Sequence, residues 1–162
     1  MAKYFTVKEM CVSASYPQLV IVPQSGTAIY NNLNFLMNDL DKVRETYGKP
    51  IIVTSGYRPP ILNAKVGGSP TSAHRYGLAA DIKSKSSMKD NVKILEAAIE
   101  SKIPYDQLII EYPTFEKGKL VSMKWLHVGI RSNPRKQILY YDGKSYKPLK
   151  VKDDDGKLTF TK

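Results

Sequence analysis

Leu33, Leu36, Leu40, Val43 and Tyr47 recur at spacings of three and four, one apolar stripe at the period of an α-helix. The stripe predicts a helix over residues 30–47, and Gly48 and Pro50 stand where helices stop. Ile51-Ile52-Val53-Thr54 is a β-branched run closing on Gly56 and predicts a strand over residues 50–57. Residues 59–73, with Pro59, Pro60, the Gly67-Gly68 pair and Pro70, read as a loop. A second strand is predicted over residues 79–83. Val92, Leu95, Ala98 and Ile99 give residues 87–102 the inner face of a second helix. Strands follow over residues 106–112 and 125–131. Between them, Pro113, Gly118 and three lysines predict an exposed hairpin over residues 113–124. The first 29 residues are irregular, punctuated by Pro17, Pro23 and Gly26, and Asp142-Gly143 and Asp155-Gly156 signal hairpin turns in the tail. A few helices with segregated strands predict an α+β fold: a small antiparallel sheet with helices on one side. Residues 1–140 are expected to form one unit, with residues 141–162 as a C-terminal hairpin tail packed on it or extending from it.

Composition narrows the class. The 162 residues are 42% apolar and 25% charged, which excludes collagen-like and disordered chains. No apolar run nears the roughly 20 residues that span a bilayer. Twenty-five basic against 15 acidic residues give a net charge of +10, which favours an anionic partner. Nucleic acid, an acidic membrane surface and an anionic cell-wall polymer all satisfy that. Cys11 is the single cysteine, so no internal disulfide forms, and it is expected to be a small buried hydrophobe. The opening Met1-Ala2-Lys3-Tyr4-Phe5 lacks the apolar stretch of a secretory signal. Synthesis in a cytoplasm, with the chain staying there or being released from it, is the expectation.

The chain holds two histidines, His74 and His127. Taken singly, each reads as a satisfied structural residue, and Asp81 as a turn or cap residue. Taken together they suggest chemistry. Asp81 lies seven residues past His74, with Gly77, Ala79 and Ala80 between them. A chain that turns at Gly77 and enters a strand can bring positions 74 and 81 to one point, and His127 can join them from a neighbouring strand. Two imidazoles and a carboxylate make a zinc site with one position left for water.

Four segments carry a resemblance: Ser55-Gly56-Tyr57-Arg58-Pro59, Asn63-Ala64-Lys65-Val66-Gly67-Gly68-Ser69, Ser72-Ala73-His74 through Asp81, and Trp125-Leu126-His127-Val128. In order and spacing the chain resembles the zinc D-alanyl-D-alanine carboxypeptidase family, which includes phage endolysins and, distantly, the hedgehog signalling domain. The carboxypeptidase-like branch is the nearest in pattern. The resemblance runs from about Tyr4 to Leu139. It implies an α+β fold around one zinc ion per chain and hydrolysis of peptide bonds in peptidoglycan stem peptides. His74, Asp81 and His127 match the family's metal ligands. Arg58, sixteen residues before His74, matches an arginine assigned to substrate binding and oxyanion support.

The family's general base is not matched where several branches carry it. Three positions before the second histidine they have an acidic residue; here that position is Lys124. Strand alternation would turn Lys124 away from the face shared by Trp125, His127 and Gly129. Glu111 is the best remaining catalytic carboxylate, either as proton acceptor or as a group fixing a ligand histidine, and Glu116 is a weaker choice. Trp125 walls the site or stacks on substrate. Ser72 caps its loop and, with Arg58 and Trp125, is assigned to substrate binding. Asp153-Asp154-Asp155 lacks the alternating spacing of a calcium loop and reads as a solvated turn. Arg131, Arg135 and Lys136 are expected to form a basic edge for wall polymer. The function expected is a zinc peptidase acting on peptidoglycan. A zinc-stabilised wall-binding or phage structural module is the alternative, and a basic nucleic-acid binder the third reading, weakened by the absence of a recognition motif.

Overall fold

The computed structural model describes residues 2–162. Helix α1 (Ala28–Tyr47) begins two residues before its apolar stripe suggests, because its cap sets the first turn: the Thr27 hydroxyl accepts from the Tyr30 N–H at 3.3 Å. Gly48, at φ 80°, closes it by donating to the Arg44 carbonyl. The stripe is buried, with Leu33, Leu36, Leu40 and Val43 inaccessible to solvent.

Strand β1 (Ile51–Ser55) is followed by α2 (Pro60–Lys65), a short helix inside the stretch expected to be a loop. Pro60 does not forbid it: a proline in the first turn lacks only an N–H that has no partner there anyway. A 3-10 turn, Ala73–Tyr76, then leads into β2 (Ala79–Ser84). Helix α3 (Asn91–Glu100) is shorter than expected and buries Ile94, Leu95, Ala97 and Ala98, so its inner face centres between Val92 and Ile99 rather than on them. After it come β3 (Tyr105–Glu111), β4 (Thr114–Glu116), β5 (Lys119–Ser122), β6 (Trp125–Ile130), β7 (Gln137–Tyr141), β8 (Tyr146–Pro148), β9 (Lys150–Asp154) and β10 (Lys157–Thr161).

The strands form two sheets, of order β1-β2-β6-β3-β7-β8 and β4-β5-β10-β9. The α+β class holds, with one correction. The main sheet is not wholly antiparallel, because β7 runs parallel to β3. Strands β6 and β7 run in opposite directions with β3 between them, so a strand antiparallel to β6 must lie parallel to β3. The hairpin β4–β5 is also less exposed than expected: Leu120 and Met123 are buried and belong to the core. The tail contributes as well, with Leu149 and Phe160 in that same core and β10 paired to β5.

Alternation gives the main sheet two faces. Ala80, Ile82, Leu108, Ile110, Leu126 and Val128 point into the core shared with α1 and α3. Each large aliphatic side chain there contributes about 2 kcal/mol by leaving water. Asp81, Ile109 and His127 therefore face the other way, and a one-residue slip would carry them into the core. No helix is long and apolar enough to cross a membrane among the described residues.

Candidate metal centre

The outward face brings together the three residues singled out by spacing. Asp81 and His127 are cross-strand partners on β2 and β6. His74 arrives from the 3-10 turn, which Ser72 caps by accepting from the His74 N–H at 3.3 Å and Gly77 ends at φ 68°. His74 Nε2 lies 3.2 Å from His127 Nδ1 and 3.4 Å from Asp81 Oδ1, and His127 Nδ1 lies 3.1 Å from that same oxygen. Donor atoms bound at about 2.0–2.1 Å to a tetrahedral zinc stand about 3.3–3.4 Å apart. The three atoms are spaced about as one face of such a tetrahedron would be, so the donor set fits zinc.

The protonation states suit a metal too. His74 Nδ1 donates to the Gly56 carbonyl at 2.8 Å, so Nε2 carries the lone pair. Burial is the main force lowering the His74 pKa, against the pull of Asp81, and it keeps the ring neutral. Burial opposes the charge on Asp81, but His74 and His127 outweigh it and hold the carboxyl well below its usual range. Neutral imidazole and carboxylate are the forms that bind a metal. Gly56 has no room for a side chain: a Cβ would stand 2.0 Å from the Met10 carbonyl oxygen.

Arg58 sits over the second oxygen of Asp81, its Nη2 at 3.8 Å from Oδ2. Its Nε donates to Ser55 Oγ at 3.2 Å and its Nη1 to Asn63 Oδ1 at 3.3 Å, while Asn63 donates to the Ser69 carbonyl at 2.8 Å. A Cβ on Gly68 would meet Asn63 Oδ1 at 2.1 Å and Arg58 Nη1 at 2.8 Å. Glu111 pairs with Trp125 across β3 and β6, on the face of His127, and lines the same cleft of about 820 Å3 as His74, Asp81 and His127. Its pKa is raised, first by burial and then by the charge of Asp81, with His127 opposing. The Gly56 carbonyl, rather than Glu111, fixes His74.

Within this arrangement the comparison with known families is decisive. The sequence model described as Peptidase M15 matches residues 3–128, a span that contains Arg58, His74, Asp81, Glu111 and His127. The chain belongs to the peptidase M15 family. Peptidases of this family are zinc-dependent, so the family is one of metallopeptidases. No curated protein matches the chain.

The remaining candidates of this M15 peptidase divide clearly. Trp125 lines the cleft, its ring 5.2 Å from that of Tyr112. Lys124 is exposed and does not line this cleft; its ammonium lies 4.6 Å over the Tyr112 ring. Ser72 lines the cleft and caps the turn. Glu116 lies exposed on β4 and is not a cleft residue. Asp153, Asp154 and Asp155 are exposed, and Asp153 Oδ1 accepts from the Gly156 N–H at 2.8 Å, as a turn requires. The basic edge needs correction. Arg135 is engaged with Asp106, Nη2 to Oδ2 at 2.7 Å and Nε to Oδ1 at 3.0 Å, which leaves Arg131 and Lys136. The sequence reading quoted Gly56, Asn63 and Gly68 among the segments of the resemblance but gave them no role in the site. It missed Tyr146, a tail residue that lines the cleft beyond the family match.

Proposed function

We propose that this M15 peptidase binds one zinc ion through His74, Asp81 and His127 and hydrolyses peptide bonds in peptidoglycan stem peptides, as a D-alanyl-D-alanine carboxypeptidase or an endopeptidase. The observation that supports it most is the triangle of donor atoms with edges of 3.1–3.4 Å inside an open cleft. Zinc held by such a set polarises carbonyls and makes hydroxide available near neutral pH. The chain's own groups supply the rest. Arg58 pairs with a substrate carboxylate or with the negative charge that develops on the carbonyl oxygen. Glu111 accepts the proton of the attacking water and returns it to the leaving amine, a task its raised pKa suits. Trp125 walls the substrate, and Ser72 holds the His74 turn at its edge. A hedgehog-like arrangement of sheet and helices accompanies this reading, and so does an anionic wall as binding partner for a chain of net charge +10.

The test is release of amino groups from purified sacculi. The expected outcome is turnover that a chelator abolishes, with His74→Ala and Asp81→Ala each losing zinc and turnover together. Zinc binding with no release from sacculi or synthetic stem peptides favours the wall-binding or structural module instead.

A further inference from the structure

A second cleft, of about 740 Å3, opens beside the metal centre at the β1 side and shares Arg58, Asp81 and Trp125 with it. Its volume is that of a small-ligand site. The two clefts differ in charge. The metal-centre cleft carries Asp106 and Glu111 beside its arginines. The β1-side cleft is walled by Lys83, Lys85 and Lys124, and its one carboxylate is Asp81, already engaged by His74, His127 and Arg58. Among the described residues none of the three lysines forms an ion pair. Ser13, Ser15, Ser86 and Ser87 add hydroxyls to the same wall.

We propose that the β1-side cleft is a subsite for a carboxylate-bearing stretch of peptide, held by Lys83, Lys85 and Lys124 while the bond to be cut lies at the metal centre. The proposal rests on the peptidase reading, since the occupant is the peptide being cut. It gives Lys124 a role: an acidic residue there would set a negative charge in the wall that receives the carboxylate. Three ammonium groups free of ion pairs around one concavity, that of Lys124 also lying over the Tyr112 ring, raise its affinity for an anion, and salt screens that gain.

The experiment uses an acidic stem peptide and its counterpart with the internal carboxylate amidated, each also made uncleavable by reducing the scissile amide. Calorimetry on the zinc-loaded protein is expected to show the acidic uncleavable peptide binding about 5- to 10-fold tighter. That advantage is expected to collapse in Lys83→Gln/Lys85→Gln and at high salt. Equal affinity for the two peptides, or an advantage that survives the double substitution, overturns the subsite. If the double variant melts early or loses zinc, Lys85→Gln alone is read in its place, with a partial loss expected and none overturning. Turnover of the cleavable parents separates the two claims. Charge-selective binding without turnover defeats the peptidase reading and leaves the cleft a binding site for acidic peptide that is not cut, whereas turnover without charge selectivity defeats the subsite alone.

Discussion

Glu111 and Arg58 flank the three candidate ligands, and the pKa of each is displaced from its ordinary value. Burial, followed by Asp81, raises the Glu111 pKa above its ordinary 4.5, and burial lowers that of Arg58 against the attraction of Asp81. A protonated Glu111 cannot accept a proton. The acidic limb of kcat/KM is therefore expected above pH 4.5, with the rate falling as pH falls through the raised value. Glu111→Gln is expected to lower kcat by about 10²- to 10⁴-fold while zinc is retained, checked by kinetics with metal analysis at each pH. A fall below threefold would assign Glu111 to support rather than proton transfer. Residue by residue, the grouping of His74, Asp81 and His127 was legible because two histidines and a glycine-interrupted His-to-Asp spacing suggested it and the family resemblance singled out the same three residues. The carbonyl of Gly56 was not legible, because a backbone acceptor carries no side-chain signature. Nor was Gly68, whose constraint is a through-space approach to Asn63 and Arg58.

At the scale of elements, periodicity located α1, β1, β2, β3 and β6 to within a few residues. It missed α2, where two prolines and a nearby Gly-Gly pair outweighed a one-and-a-half-turn helix that buries only Leu62 and Asn63. It could not give the parallel pairing of β3 with β7, since register between strands separated by a whole hairpin and β6 is set by packing rather than by local pattern. The connection between β6 and β7 crosses β3, and Asp106 of β3 clasps Arg135 in it, through the backbone N–H at 2.9 Å and through the guanidinium. The hydrogen bond from Arg135 is the largest influence lowering the Asp106 pKa. Folding therefore favours ionised Asp106, and its contribution is complete above the ordinary value of 3.8 and lost as acid protonates it. Asp106→Asn is expected to cost about 1 kcal/mol at pH 7, since the arginine is half exposed, and the difference is expected to vanish in acid. Urea denaturation at the two pH values checks this, and a cost independent of pH contradicts it.

At the scale of the molecule, the tail is joined to the rest by more than a linker. Strand β8 extends the main sheet, the β9–β10 hairpin completes the second, and Phe160 enters the common core at 3% exposure. Phe160→Ala is expected to cost about 3–5 kcal/mol in chemical denaturation with a single transition. A cost under 0.5 kcal/mol, or a separate early transition, would show a tail that folds apart. The tail also brings Tyr146 into the cleft, beyond the residues matched by the family. Central to the proposed function is one ion held by His74, Asp81 and His127, which a turn and two strands bring together. The most direct test is titration of the metal-free protein with zinc while turnover of purified sacculi is followed. The account predicts no turnover without metal and a linear rise that breaks at one equivalent, absent in His74→Ala. Undiminished turnover by the metal-free protein, or by His74→Ala, would contradict it.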